Sequence, residues 1–184
     1  MVCLACRRLN RERLCSGCSS QLRPGPDRLI GRQLRARAAF VHTGPARALV
    51  HNFKYRGIES AGLLLAEAMA PLLPQDVALL PLPRVDWRLL RYGIAPAPFL
   101  AEQLSRLTGL PVLDLLTVPP FAVDQARRSR NRRRAPMFSL RGPPPPVPLV
   151  LIDDVVTTGG TLTSARKTLG ESVAQAVTAT ATLR

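Results

Sequence analysis

Residues 149–161 read Leu149-Val150-Leu151-Ile152-Asp153-Asp154-Val155-Val156-Thr157-Thr158-Gly159-Gly160-Thr161. Four apolar residues without a polar partner in between predict a central strand covered on both faces. Two carboxylates follow at the carboxyl end of that strand, where α/β folds place their ligands. A Thr/Gly loop comes next and runs into a helix. Gly159 and Gly160 let the backbone approach an anion closely. The amides of the loop and the helix N-terminus point at that anion, and Thr157, Thr158 and Thr161 add hydroxyl donors. Carboxylates beside an anion cradle suit the vicinal hydroxyls of a sugar. The expected ligand is a ribose 5-phosphate, its diol facing Asp153 and Asp154 and its phosphate on Thr157–Thr161. The segment is not a P-loop, because no Gly-Lys-Ser/Thr follows the glycines.

Outward from this segment the pattern alternates between strands and helices. Upstream, 37–42 predicts a strand, 46–55 a helix with Leu49, Val50 and Phe53 at helical spacing, and 60–73 a second helix. Runs at 77–82 and 147–152 predict buried strands, 111–116 another short strand, 95–108 a helix, 161–170 a helix and 173–183 a last strand. Alternating elements with unbroken apolar strands predict an α/β fold with a parallel sheet flanked by helices. Pro24, Gly25 and Pro26 mark residues 21–36 as a linker. The expected organisation is a cysteine module at 1–20, the linker at 21–36 and the α/β domain at 37–184. Residues 117–146 are rich in Arg and Pro and predict a long exposed loop.

The chain has 184 residues, 46% of them hydrophobic, enough for a core that needs no disulfides. No apolar run reaches the roughly 18 residues of a membrane span, and the N-terminus lacks a signal-peptide core, so membrane insertion and secretion are not expected. The net charge is +14. Its excess sits in two blocks, residues 1–40 and 125–141, which favours two local anionic contacts. In the second block Arg127, Arg128, Arg130, Arg132, Arg133 and Arg134 crowd together with no acid among them. They read either as contacts for single-stranded DNA or as a solvated basic loop that closes over a diphosphate. His42 and His51 are far from the ribose-phosphate segment in sequence and read as surface or packing residues. Trp87 reads as packing, with base stacking as the alternative.

All four cysteines, Cys3, Cys6, Cys15 and Cys18, lie at the N-terminus in the pattern C-x2-C-x8-C-x2-C. Each C-x2-C puts two thiolates on one knuckle, and two knuckles complete the tetrahedron that structural Zn²⁺ takes. Disulfides or unliganded thiols are the alternatives. A closed four-thiolate site is structural, and the α/β core is expected not to depend on it.

The segment 149–161 resembles the motif with which phosphoribosyltransferases bind 5-phosphoribosyl 1-pyrophosphate. Together with the four-Cys module, Leu49-Val50-His51-Asn52-Phe53-Lys54-Tyr55-Arg56-Gly57 and Leu80-Pro81-Leu82-Pro83, it resembles the ComF family of competence-associated proteins over nearly the whole chain. The resemblance implies a type I phosphoribosyltransferase fold, a cytoplasmic location and a role in handling transforming single-stranded DNA. A competence helicase or a recombination-mediator protein would be its candidate partners. It also implies that Mg²⁺ accompanies the diphosphate of the ligand. Arg84, Arg88 and Arg91 flank the expected pyrophosphate loop and are candidates for that anion, or else solvated helix residues. Lys54 and Tyr55 are candidates for the nucleophile pocket, with core packing the alternative for Tyr55.

Two segments depart from the family pattern. Where members continue Arg-Gly-Phe-Asn-Gln, this chain has Arg91-Tyr92-Gly93-Ile94-Ala95-Pro96. The expected mobile loop keeps Gln125 and Phe138 but is shorter and filled with arginine. Three functions remain: phosphoribosyl transfer, nucleic-acid binding on the same scaffold, and sensing of the donor. The lost polar groups favour nucleic-acid binding with a retained ligand pocket.

Overall fold

Leu149, Val150, Leu151 and Ile152 are fully buried, as a strand covered on both faces requires. Each such side chain contributes about 1.5–3 kcal/mol relative to exposure. The computed structural model describes residues 1–31, 33–83, 94–118 and 138–183. Within them the strands are β1 Asp27–Ile30, β2 Leu34–Val41, β3 Ala78–Pro81, β4 Leu116–Thr117, β5 Ser139–Leu140, β6 Leu149–Val156 and β7 Val173–Ala181. The helices are α1 Ser16–Ser19, α2 Gly44–Arg56, α3 Glu59–Met69, α4 Pro96–Thr108 and α5 Gly160–Leu169.

Five strands form one sheet in the order β1-β2-β7-β6-β3. β2, β7, β6 and β3 are parallel, and β1 joins as an antiparallel edge. The fold is the expected α/β class, with helices on both faces. Leu49, Val50 and Phe53 of α2, Leu65 and Met69 of α3, and Leu100 and Leu104 of α4 share one core layer with Val150 and Ile152. Leu162, Ala165 and Leu169 of α5 share the opposite layer with Leu149 and Leu151. Phe53 is wholly buried, its ring tilted against Phe99 at 5.0 Å. α3 crosses it at Gly62, where an added Cβ would lie 2.6 Å from the Phe53 ring.

The 21–36 stretch is not a connector without structure. It holds β1 and the first residues of β2, and Pro24 bridges to Phe40. Leu34, Ala36 and Ala38 are buried while Arg35 is exposed, so an alternating edge hairpin carries its charge on the outer face. The 111–116 run is corrected too. Val112 makes only an isolated parallel bridge to Leu79, and β4 pairs with β5 in a separate two-stranded sheet. Pro111 and Asp114 interrupt what the apolar content suggested. β6 extends through both aspartates to Val156 and does not stop at Ile152.

Residues 1–20 pack onto the α/β layers. Cys3, Leu4, Ala5 and Cys18 are buried in the same cluster as Leu49, Val50 and Phe53. The buried Asn52 amide donates to the carbonyls of Leu4 (2.8 Å) and Ala5 (3.0 Å), and Arg13 makes a paired contact with Glu67. The Arg13–Glu67 pair is half exposed and contributes at most about 1 kcal/mol. The apolar contacts therefore hold the module.

Candidate functional site

The helix that follows β3 in the chain, α4, packs on one face of the sheet, and the helix that follows β6, α5, packs on the other. Neighbouring strands whose connections go to opposite faces open a crevice at their carboxyl ends, the usual ligand position of open α/β sheets. Leu82 donates its amide to the Ile152 carbonyl at 3.0 Å, so the carboxyl ends of β3 and β6 stand side by side next to Asp153.

Asp153 and Asp154 are both buried, at 4% and 0% exposure. Asp153 Oδ1 accepts the Asp154 amide at 2.9 Å. Asp154 is ion-paired through Oδ2 with Lys54 Nζ of α2, whose side chain is only 12% exposed. Beneath them, Thr180 of β7 donates its hydroxyl to the Asp154 carbonyl at 3.3 Å, and His42 Nδ1 lies 2.8 Å from Thr180 Oγ1. Burial holds His42 below the usual imidazole range, Arg47 pushes the same way, and Asp154 opposes them. His42 follows β2 directly, and β2 and β7 are neighbours, so the carboxyl ends of three parallel strands converge here.

After β6 the chain turns through Thr157, Thr158 and Gly159 into α5. The first-turn amides of a helix lack intrahelical partners and favour an anion. Thr157 and Thr158 are exposed, and the Thr158 hydroxyl accepts the Gly160 amide at 3.3 Å. Gly159 caps the helix with φ +79°. A Cβ there would lie 2.4 Å from Ile30 Cγ2, so this glycine is needed for packing against β1 as well as for its conformation. Arg28 of β1 donates to the carbonyls of Thr157 (2.9 Å) and Thr182 (3.0 Å). The guanidinium thus ties the loop to the end of β7 and adds a positive charge beside it.

The four cysteine sulfurs lie within 4.8 Å of one another. A tetrahedral ion with Zn–S bonds of about 2.3 Å sets its sulfurs about 3.8 Å apart, and Cys6 Sγ and Cys15 Sγ are 3.8 Å apart. The four are free thiols, much farther apart than the roughly 2 Å of a disulfide. The donor set fits a metal such as zinc. Burial raises the Cys3 thiol, but the amides of Cys15, Cys6 and Ala5 outweigh it and bring it down to about 6. Burial and the neighbouring sulfurs push Cys18 up to about 12. A bound cation would take the sulfurs as thiolates and displace their protons.

The fold brings Lys54 to the aspartates but leaves Tyr55 at the surface, 46% exposed, its ring against His51 at 5.0 Å. Core packing of Tyr55 is therefore excluded. Arg84, Arg88 and Arg91, and Arg127, Arg128, Arg130, Arg132, Arg133 and Arg134, lie outside the described residues. Sequence reasoning passed over Arg28, Ile30 and Thr180, and it read His42 as a surface or packing residue. Only His42 carried a usable signal, its place just after a parallel strand. No helix among the described residues is long and apolar enough to cross a membrane.

No family model and no curated protein matches this sequence. Among solved structures, the allosteric regulatory enzyme of purine biosynthesis is similar, with a TM-score of 0.48 and 16% identity over 71% of this chain. This chain spans 30% of that protein's length. The purine phosphoribosyltransferase from Pyrococcus horikoshii Ot3 is similar with a TM-score of 0.37 and 18% identity, over 65% of this chain and 67% of the other.

Proposed function

We propose that this chain binds a 5-phosphoribosyl ligand of the 5-phosphoribosyl 1-pyrophosphate type at the β6–α5 crevice, and that it is a ComF-like protein supporting DNA uptake in natural transformation through single-stranded DNA handling. The observation that carries the ligand reading is the coincidence of buried carboxylates at the end of β6 with a Thr/Gly turn into α5. Sugar hydroxyls donate well to a carboxylate, and a phosphate suits the unpaired amides of a helix start. Mg²⁺ would travel with the diphosphate of the ligand and neutralise it. The DNA reading draws on the two arginine blocks, and Arg7, Arg8 and Arg11 of the cysteine module are exposed. The second reading is phosphoribosyl transfer to an unidentified nucleophile. It draws on the complete motif, in which fixed charges would stabilise positive charge gathering at the anomeric carbon.

Calorimetry with 5-phosphoribosyl 1-pyrophosphate and Mg²⁺ tests the ligand, with Asp153→Asn expected to lose binding. A wild-type protein that gives no heat over a millimolar range overturns it. A salt titration of single-strand binding tests the DNA role. Each phosphate contact should contribute about −0.7 to the slope of log affinity against log salt. Changing the six arginines at 127, 128, 130 and 132–134 to Ser should flatten that slope, and an unchanged slope excludes them as DNA contacts.

A further inference from the structure

The cysteine module carries a cleft that the ribose-phosphate site does not use. It measures about 420 Å³ and lies between the hairpin of residues 1–13 and the chain that enters α3 at Ile58 and Ser60. The Cys3 amide donates to the Arg8 carbonyl at 2.9 Å and the Leu4 amide to the Arg13 carbonyl at 2.8 Å, which closes the hairpin. Val2, Leu4 and Ile58 give the cleft apolar walls. Leu4 is buried and its carbonyl accepts the Asn52 amide of α2, so this wall is anchored in the core. Val2 is 43% exposed, and Leu9, its partner in an antiparallel bridge, is 88% exposed. Exposed apolar surface gathered in one place and rimmed by polar groups marks an interaction site, whereas scattered single residues do not.

The rim is cationic. Arg7 and Arg13 line the cleft, and Glu67 holds Arg13 in place. Arg7, Arg8 and Arg11 are exposed and make no ion pair among the described residues. Glu12 and Glu59 are the only acids within 1–13 and 58–60, so positive charge prevails. We propose that this cleft docks an acidic segment of a partner protein, which inserts one apolar side chain between Val2, Leu4 and Ile58 and sets its carboxylates against Arg7, Arg8 and Arg11. Charge complementarity selects the occupant. A second copy of this chain, at net charge +14, would bring cations against cations. A nucleic-acid strand would match the charge but not the walls. Its bases stack on aromatic side chains, and no residue lining the cleft is aromatic. A peptide with acids around one apolar residue satisfies both wall and rim. The proposal does not rest on the ribose-phosphate reading, and it leaves nucleic acid to the second arginine block at 127–134.

The test uses the full zinc-loaded chain. The probe is a peptide of aspartates and glutamates around one leucine, blocked at both ends and read by calorimetry and amide chemical shifts. The peptide should bind and move the amide resonances of Val2, Leu4 and Ile58. Replacing its leucine with serine should weaken binding about tenfold or more, as the loss of one buried apolar side chain implies. Val2→Asn makes one wall polar at unchanged charge, and it should weaken binding about fivefold while melting within a few degrees of wild type. Arg7 has φ +63°, so glycine can replace it without backbone strain. Arg7→Gly should weaken binding about threefold and make it less sensitive to salt. If Val2→Asn does not fold, the comparison of the leucine and serine peptides on wild-type protein decides. Wild-type protein that fails to bind the leucine peptide at millimolar concentration would overturn the proposal. So would equal binding of the serine peptide, which would mean attraction by charge alone. Oligothymidine that binds more tightly than the peptide and moves the same three amides would assign the cleft to nucleic acid instead. Self-association that Val2→Asn abolishes would assign it to a second copy, and either result overturns the peptide reading.

Discussion

Gly159 and Gly160 look interchangeable in the sequence, two small residues that let an anion come near. In the fold Gly159 has its own constraint. Its φ of +79° costs any other residue about 1–3 kcal/mol. A Cβ would also overlap Ile30, whose Cγ2 and Cδ1 lie 2.4 and 2.8 Å from that position. Gly159→Ala should therefore destabilise the protein by about 2–6 kcal/mol, from strain and overpacking together. A valine at this site would disturb the fold as well as any ligand. Ile30→Ala removes the overlap, so the double variant should be less destabilised than the two single losses added together. Urea denaturation of the three variants measures this, and simple additivity would show that the two residues do not meet. The letter Gly was legible as a turn residue. That its missing side chain makes room for an isoleucine from a distant strand was not, because nothing near it in sequence encodes Ile30.

At the level of elements, β6, β7 and α2 to α5 were legible within a few residues, because their apolar periodicity is strong and their ends carry Pro or Gly. β1 and the start of β2 were hidden by composition. Pro24, Gly25 and Pro26 signal a break, and Arg28, Arg35 and Arg37 make the following residues look like exposed chain. The alternation of Leu34, Ala36 and Ala38 against the arginines is the period-two signal of a strand with one buried face, present but masked by charge. β1 contributes Arg28, which bonds the carbonyls of Thr157 and Thr182. Hydrogen bonds from charged donors are worth about 1.5–3 kcal/mol. Arg28→Met should therefore loosen the turn between β6 and α5 while leaving the sheet centre intact. Amide hydrogen exchange should rise at least tenfold at Thr157–Gly160 and stay unchanged in β6. Equal acceleration in both would assign Arg28 a general stabilising role.

Across the whole molecule, the class of fold and the chemistry of the cysteine cluster could be read from the chain, because both rest on local spacing. The inner arrangement of the site could not. His42 and Thr180 are 138 residues apart, and the contact of Lys54 with Asp154 depends on how α2 lies over the sheet. Cys3 and Cys18 share a core with Leu49, Val50 and Phe53, a contact that the sequence did not announce. Cys15→Ser should lose the metal, which elemental analysis reads directly. It should also lower the global melting temperature, where an isolated module would only fray. Unchanged global melting in the metal-free variant would restore the view of a detached module.

Asn52 and Lys54 sit two residues apart on one rigid helix, the first gripping the backbone of the cysteine knuckle and the second gripping Asp154. Such a helix behaves as a lever with a load at each end. Under the proposed reading, with a metal on the cysteines and a phosphorylated sugar in the crevice, any effect of the metal on sugar affinity through α2 would be matched by an equal effect of the sugar on metal affinity.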